Sequence, residues 1–352
     1  MSYTPYNAPL LEPVLGDRQA AACFSIKADI DAMLKFETVL AHAQARIGMI
    51  SEAAAKSIEN AITAFAPDMP VLQAAIAKDG MVVPGLIKQL RAQLSADHAA
   101  SLHLHCTSQD VIDTSAMMRM RECSNLIAER LTALTKKLGA LQRNHMNNSF
   151  MTYTRMQAAL PSIAGDRIGL WLDVLPTLGA ELASLKFPIQ LSGPIGSSSA
   201  YDGKAKKLAE IIAKNLGLDV NEYRWQANRG PVLSIAECLA HITGHLGKIG
   251  ADISLMAQMG EAQIQLSGGG GSSAMAHKKN PVLAETLITQ ARFNATQISG
   301  IHHAVLHEQE RSGSSWMLEW MIMPQMFVVA ASSVDNALQL IDSIERVGKP
   351  AR

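Results

Sequence analysis

The segment after Pro231 constrains the fold of this chain more than any other. Apolar residues recur there at alternating steps of four and three, at Ile235, Leu239, Ile242, Leu246, Ile249, Ile253 and Met256. This period is typical of a helix that packs in a bundle. We predict a helix from about Val232 to Leu266, on the order of 50 Å long at 1.5 Å per residue. Its glycines, which recur every third residue from Gly244 to Gly250, would let a neighbouring helix approach closely.

Other segments repeat this helical period. A stretch from Asp113 to about Met146 carries the same four-three step, at Ile127, Leu131, Leu134, Leu138 and Leu141. A third long helix is predicted to begin at Pro281, because proline suits the first helical position. Shorter helices are expected at Asp29–Arg46 and from about Ser162, with a break near Pro176.

The composition agrees with a helical protein. Hydrophobic residues make up 48% of the chain but aromatic residues only 5%, a balance that favours helices over strands. No segment alternates convincingly as a strand does, so we predict an all-α fold with a central bundle of long helices. We place an N-terminal helical domain at 1–110 and the bundle domain at 111–352. Several long apolar seams are hard to cover within one chain, so the bundle domain should mediate oligomer formation.

Charge and cysteine usage exclude several classes of function. Lysine plus arginine number 31 and aspartate plus glutamate number 31, so no net field attracts nucleic acid or anionic membranes. The four cysteines show no Cys-x-x-Cys spacing and are interpreted as reduced thiols. The N-terminus lacks a signal-peptide pattern, and no stretch approaches the roughly 18 apolar residues of a membrane span. We expect a cytoplasmic protein without a nucleic-acid or membrane partner.

A glycine-rich segment from Ser267 to Pro281 carries the strongest chemical signal. It holds Ser272 and Ser273, then Lys278 and Asn280, directly before the predicted third helix. A serine can transfer a proton if backbone N–H groups, a lysine and a helix N-terminus stabilise its alkoxide. Lys278 and Asn280 could also hold a substrate carboxylate. The alternative is a flexible surface loop with solvated lysines.

A second polar segment runs from His103 to Thr114, just before the predicted second long helix. Thr107, Ser108 and Gln109 could present two hydroxyls and an amide to a carboxylate. The alternative is helix capping by Ser108 or Asp110, which would satisfy free backbone N–H groups.

A third segment, from Tyr153 to Pro161, contains Arg155 and Gln157, both suited to binding carboxylates. Without further context, these side chains could equally belong to a surface helix. His145, ten residues before Arg155, is an additional candidate for acid–base chemistry.

These three segments together resemble the shared regions of the fumarase/aspartase superfamily, which includes argininosuccinate and adenylosuccinate lyases. The pattern Gly-Ser-Ser-x-Met-x-x-Lys-x-Asn-Pro is long and specific. The resemblance implies proton transfer by Ser272, with Ser273 beside it, and carboxylate binding and charge stabilisation by Lys278, supported by Asn280. It also gives His103 the place of a histidine found in the adenylosuccinate lyase branch.

One departure from the superfamily pattern narrows the function. Met156 occupies the place of the histidine that the amidine lyases carry, and a methionine cannot protonate a leaving nitrogen. With Thr-Ser-Gln-Asp at 107–110 and the segment Val83–Leu90, the chain is similar to the bacterial 3-carboxy-cis,cis-muconate cycloisomerases. The resemblance extends from about Pro9 to Arg311.

That resemblance implies an enzyme that closes a lactone by adding one carboxylate of 3-carboxy-cis,cis-muconate across a double bond. It implies a homotetramer with active sites shared between subunits, a small polycarboxylate substrate, and no metal or organic cofactor. Longer members have a C-terminal helical domain, so this chain is expected to be a short form without it. An adenylosuccinate-type lyase and a non-catalytic homologue, such as those of the eye lens, remain as alternatives.

Overall fold

The computed structural model describes residues 8–271, 275 and 278–350. The helices are α1 (Glu12–Leu15), α2 (Arg18–Cys23), α3 (Ile26–Arg46), α4 (Glu52–Thr63), α5 (Met69–Asp79), α6 (Val83–Arg91), α7 (Ala96–Ala99), α8 (Ser108–His145), α9 (Ala164–Leu172), α10 (Leu175–Ser184), α11 (Ala205–Leu216), α12 (Gly230–Met259), α13 (Val282–Ala304) and α14 (Gly313–Asp342). The strands are β1 (Ser149–Thr154), β2 (Gln157–Ile163), β3 (Ile264–Leu266) and β4 (Ile344–Val347). The prediction of an all-α, fumarase/aspartase-like fold is confirmed.

The long helices α8, α12, α13 and α14 form the central bundle. Helix α13 packs along both α12 and α14, and α14 also packs against α8. Both predicted seams are buried, from Ile235 to Met256 on α12 and from Ile127 to Leu141 on α8. The prediction for α12 ran seven residues too far. Gly260, at a φ of 90°, follows its last residue, Met259, and 264–266 form a strand instead.

Two of the three glycines on α12 make the predicted close approach. A Cβ at Gly247 would lie 2.4 Å from the Cβ of Ala291 on α13, and one at Gly250 would lie 2.5 Å from the carbonyl oxygen of Ala284. Gly244 has nothing within 4 Å of its would-be Cβ and lies on an exposed part of the helix. Only Gly247 and Gly250 therefore bring the backbones of α12 and α13 together.

Helix α14 was not predicted from the sequence. It contains a window with a mean hydropathy of 1.3, long and apolar enough to cross a membrane, and 67% of that window is buried within the protein. The expectation that no stretch is apolar enough for a span was therefore wrong. Because α14 packs on α8, α12 and α13, its apolar composition fits a core helix.

Two small antiparallel sheets contradict the expectation that the chain lacks strands. Strand β1 pairs with β2 in a hairpin, and β3 pairs with β4. The two sheets lie at the same end of the bundle, because Ser149 at the start of β1 exchanges backbone hydrogen bonds with Lys349, just after β4. Helix α8 ends at this hairpin, so its first turn lies at the opposite end.

The N-terminal helices pack on that opposite end. Helices α3 and α6 both contact α8, and α4 packs on α3. The break predicted near Pro176 is confirmed, since α9 ends at Leu172 and α10 begins at Leu175 with Pro176 in its first turn. The proposed domain division at residue 110 falls within the first turn of α8 and stays a prediction.

Candidate active site

The first turn of α8 organises the segment from His103 to Thr114. Thr107 is the N-cap residue, and its backbone N–H donates to the Asp110 carboxylate at 3.0 Å. Asp110 also accepts from the backbone N–H groups of Ser192 and Gly193, at 2.8 and 3.1 Å. Capping thus involves Thr107 and Asp110 rather than Ser108. Burial raises the pKa of Asp110 to about 6, although these three backbone donors oppose the shift.

Arg311 lies directly over this turn, and sequence reasoning did not select it as a site residue. Its Nε donates to Gln109 Oε1 at 2.9 Å, and its Nη2 donates to Thr107 Oγ1 at 2.8 Å. Gln109 is fully buried, and its Nε2 donates to the carbonyl oxygen of Gln226 at 2.8 Å. Gln109 is therefore buried and holds Arg311 in place, and its assignment to substrate binding stays a prediction.

A buried ion network lies beneath Gln109. Arg229 donates to both carboxylate oxygens of Asp113, at 2.7 and 3.0 Å, and to both of Glu319, at 2.8 and 2.6 Å. Burial by itself would raise the pKa of Glu319, but the charge of Arg229 outweighs it and holds that pKa below its usual value. Trp316 Nε1 also donates to Asp113, at 2.9 Å. Every charged group of this network is paired, which fixes the first turns of α8 against α12 and α14.

His103 lies beside the first turn of α8 and is bound to a buried carboxylate. Its Nδ1 is 2.6 Å from Oε1 of Glu37, which is on α3. Burial alone would lower the pKa of His103, but the charge and hydrogen bond of Glu37 outweigh it and raise that pKa. Glu37 is a second functional candidate that sequence reasoning missed.

A cavity of 450 Å³ opens at this end of the bundle. His103, Thr107 and Ser108 line it together with two cations, Lys88 and Arg91 from α6, and an apolar wall that includes Ile87. In the sequence, the segment Val83–Leu90 served only as evidence of similarity to the cycloisomerases. Lys88, within this segment, was not predicted to line the site. Three of the predicted substrate-binding residues thus share one cavity whose charged groups favour an anionic ligand.

Arg155 and Gln157 lie at the far end of α8, at the tip of the β1–β2 hairpin rather than on a helix. Thr154 pairs with Gln157 across a two-residue turn formed by Arg155 and Met156, whose φ values are 47° and 65°. All three side chains at this tip are exposed, and Met156 is 76% exposed. The hairpin therefore presents Arg155 and Gln157 outward, with Met156 between them.

His145 ends α8 near the base of the same hairpin. Its Nδ1 is 3.3 Å from Asn148 Nδ2. Partial burial, followed by the positive charge of Arg346, lowers the pKa of His145. A lowered pKa reduces the protonated fraction that a proton donor requires near neutral pH.

The glycine-rich loop also lies at the hairpin end. Gly270 and Asn280 close its base through two backbone hydrogen bonds of 3.0 and 2.9 Å, and Lys278 is exposed. Ser272 and Ser273 lie outside the described residues. The loop joins α12 to α13, and Ser267 at its start donates to the carbonyl oxygen of Ser343, next to β4. The glycine-rich loop and the Tyr153–Pro161 segment are therefore neighbours at one end of the bundle.

The His103–Thr114 segment is far from these two. Helix α8 covers 38 residues, so Ser108 and His145 are about 55 Å apart at 1.5 Å per residue. No single small molecule can touch both ends of one chain. Across the residues that the structure describes, no three histidine, cysteine or acidic side chains are grouped as a metal site requires.

The long-helix bundle with one polar segment at one end and two at the other defines a member of the fumarase/aspartase superfamily. The chain belongs to this family, because the family model described as lyase matches residues 18–300. It is 32% identical over 347 residues to a 3-carboxy-cis,cis-muconate cycloisomerase of Bradyrhizobium diazoefficiens, with 96% of this chain and 77% of the relative covered.

Two other similarities bear on function. A nitrosuccinate lyase of Streptomyces davaonensis is 32% identical over 355 residues, which cover 96% of this chain and 75% of that protein. The crystal structure of a 3-carboxy-cis,cis-muconate lactonizing enzyme from Pseudomonas putida matches with a TM-score of 0.88 at 29% identity, covering 96% of this chain and 77% of that one. The chain spans about three quarters of the length of these relatives.

Proposed function

We propose that this protein is a cycloisomerase that converts 3-carboxy-cis,cis-muconate to 4-carboxymuconolactone in the cytoplasm. One carboxylate of the substrate adds across a double bond, and the carbon α to another carboxylate takes up a proton. The observation that carries this proposal is the exposed Met156. It occupies the place where the amidine lyases have a histidine that acts as a general acid. Intramolecular addition has no leaving amine, so it does not need that group.

The charges of the site suit this chemistry. Addition of the carboxylate builds up negative charge on the activating carboxylate, and positive groups fixed in a site with little water stabilise it. Lys88, Arg91 and His103 line one cavity, and Arg311 is held over its edge by Thr107. We assign carboxylate binding to these groups, and to Arg155, Gln157 and Lys278 from the other end of the bundle. No cofactor enters this scheme.

Ser272 is assigned the proton transfer. In the direction of lactone formation the serine donates its proton to carbon, and Lys278 and Asn280 stabilise the alkoxide that remains. The lowered pKa of His145 favours the serine over that histidine as the donor at neutral pH. Ser273 is assigned to substrate binding beside Ser272.

The test is an ultraviolet assay of the purified protein with 3-carboxy-cis,cis-muconate, in which lactone formation removes the conjugated diene. We expect rapid loss of diene absorbance. Adenylosuccinate is run in parallel, because fumarate release from it would support the adenylosuccinate-type lyase instead. An inert muconate refutes the proposal.

Nitrosuccinate is the second candidate substrate, since a relative of equal identity carries the name nitrosuccinate lyase. Elimination from nitrosuccinate gives fumarate and nitrite, and nitrite is a stable anion that leaves without being protonated. This reaction is therefore also compatible with Met156. Nitrite release without turnover of the muconate would select it.

We further propose a homotetramer in which each site combines the two ends of different chains, because about 55 Å separates those ends within one chain. Ser272→Ala and Arg311→Ala chains are each expected to be inactive. Random mixing of the two by unfolding and refolding should restore about one quarter of the activity, since that share of sites draws both residues from intact chains. Sites contained within single chains would give no recovery.

A further inference from the structure

Glu37 is one of the most deeply buried charged residues of the chain, and the reaction scheme above does not use it. It lies on α3, is 1% exposed, and places Oε1 at 2.6 Å from Nδ1 of His103. Its other oxygen, Oε2, has no hydrogen-bond partner among the described residues. A buried carboxylate is costly unless a positive charge compensates it, so the single contact with His103 must supply that charge.

The backbone around His103 is held rigidly. His103 has a φ of 61°, a left-handed backbone conformation that residues other than glycine rarely adopt. The residues on both sides are anchored, since Arg91 donates to the carbonyl oxygen of Leu102 at 3.1 Å and Gln44 donates to that of Leu104 at 2.8 Å. Strained residues persist where surrounding contacts fix them, and they cluster at functional sites. His103 is thus fixed in its place by α3 and α6.

The contact with Glu37 determines which nitrogen of His103 can serve a ligand. Nδ1 is bound to Glu37, which leaves Nε2 as the free nitrogen of a ring that lines the cavity beside Lys88 and Ser108. If the ring is neutral and Nδ1 carries its proton, Nε2 is an acceptor and can act as a base. If the ring is charged, Nε2 is a donor and can bind a carboxylate.

The groups around His103 decide between these two states. Burial disfavours the charged ring, but Glu37 from α3 and Asp110 from α8 favour it, and Arg91 from α6 opposes it more weakly. The outcome is a raised pKa, which keeps the ring charged to a higher pH than an ordinary histidine.

We propose that Glu37 is a positioning residue that holds His103 as an imidazolium, so that His103 binds a substrate carboxylate through its Nε2–H and does not act as a base. With Lys88 and Arg91, His103 then supplies a third cation to one cavity. Three cations match the three carboxylates of a tricarboxylate. The proposal rests on the proposed function only in taking a polycarboxylate as the ligand.

The charge of His103 can be measured without any turnover. The 11 histidines are labelled with ¹³C and titrated by NMR, and the His103 signal is identified by its loss in His103→Gln. We expect His103 to titrate above the ordinary value of about 6.5 in the wild type. In Glu37→Gln it should titrate at a lower pH than in the wild type, since burial remains while the stronger of its two counter-charges is gone. A shorter carboxylate, in Glu37→Asp, should restore most of the shift. An unchanged titration in Glu37→Gln, or a wild-type ring that is neutral at pH 7, overturns the proposal.

Steady-state kinetics separate binding from base catalysis. In Glu37→Gln at pH 7 the KM for 3-carboxy-cis,cis-muconate should rise about tenfold, as loss of one charge-assisted hydrogen bond predicts, while kcat changes little. In the wild type the KM should rise as the pH passes above the pKa of His103. Glu181→Gln is the matched control, because Glu181 forms an exposed 2.7 Å pair with His241 on other helices. This control should leave the KM unchanged.

A fall in kcat at constant KM in Glu37→Gln would make His103 an acid or base and refute the proposal. Failure of the proposed function has a different signature, namely absent turnover in the wild type, and it leaves the titration result to decide the charge of His103. In that case, binding of tricarballylate, a saturated tricarboxylate, is measured by calorimetry, and equal affinity in the wild type and Glu37→Gln would refute the proposal.

Discussion

The close contact between α12 and α13 allows a sharp test with one substitution at three positions. Gly→Ala in an exposed helix gains up to about 1 kcal/mol, because alanine has the higher helix propensity. Gly244→Ala should therefore stabilise the protein by about 0.5–1 kcal/mol, since its Cβ meets nothing within 4 Å. At Gly247 and Gly250 the same methyl group would lie 2.4 and 2.5 Å from atoms of α13.

Ordinary contact begins near 3.4 Å, so α13 must move away by about 1 Å at either position. Overpacking of this kind costs about 1–3 kcal/mol, and overlaps this severe belong to the upper half of that range. After the propensity gain is subtracted, Gly247→Ala and Gly250→Ala should each lose about 1–2 kcal/mol.

The assay is urea unfolding followed by circular dichroism at one fixed chain concentration, because oligomerisation adds a concentration-dependent stability. The difference between Gly244→Ala and either buried variant should be about 2–3 kcal/mol. If Gly247→Ala or Gly250→Ala were as stable as Gly244→Ala, the two helices would not be in the close contact described above.

Four further predictions concern the site and its support. Ser272→Ala should abolish turnover while circular dichroism and oligomer size stay unchanged; near-wild-type turnover would move the proton transfer to another group. Arg311→Lys should raise KM by about tenfold, since a lysine cannot keep both hydrogen bonds to the first turn of α8, and a kinetic titration with substrate measures this. Arg229→Met should lower the free energy of unfolding by about 3–5 kcal/mol, because two buried carboxylates lose their partner, and a loss below about 1 kcal/mol in urea unfolding would contradict it. The pKa of Asp110 lies at about 6 in the folded protein and near 3.8 in the unfolded chain, so this group stabilises the fold below about pH 4 and the contribution is lost as the pH rises through 6. Asp110→Asn should accordingly become more stable relative to the wild type from pH 4 to pH 7, and a constant difference would refute this.

Most of the helical fold could be predicted, because apolar residues recur with a period of about 3.6 residues along an amphipathic helix. Helix α14 was not predicted for two reasons. It is apolar on nearly all sides, so its apolar residues show no helical period, and it contains Pro324, a residue type that usually ends helices. The β1–β2 hairpin was not predicted for a different reason. Its turn places Arg155 and Met156 at positive φ, where Asn-Gly is the usual signal.

The candidate site could be predicted only where its residues form a linear pattern. His103, Thr107 and Ser108 lie within six residues of one another in the sequence, and the structure places them around one cavity. Arg311 is 204 residues from Thr107, so nothing local in the sequence connects the two. Glu37 did leave a signal, because a carboxylate there interrupts the buried face of α3. A charged residue at a core position needs a partner of opposite charge, but sequence alone does not say which.

The geometry of α8 sets a condition on any active form of this enzyme. A small polycarboxylate is much shorter than the roughly 55 Å between the ends of the helix, so the cations near His103 and the loop that carries Lys278 cannot act on one molecule within one chain. An antiparallel neighbour related by a two-fold axis would bring its own hairpin end beside the His103 end of the first chain, and the same operation would complete a second site. Such pairing explains why the Arg155–Gln157 tip is exposed in the single chain although its side chains suit carboxylate binding. The seams of α8 and α12 are already buried within one chain, so the separation of the two ends, and not uncovered apolar surface, calls for such pairing.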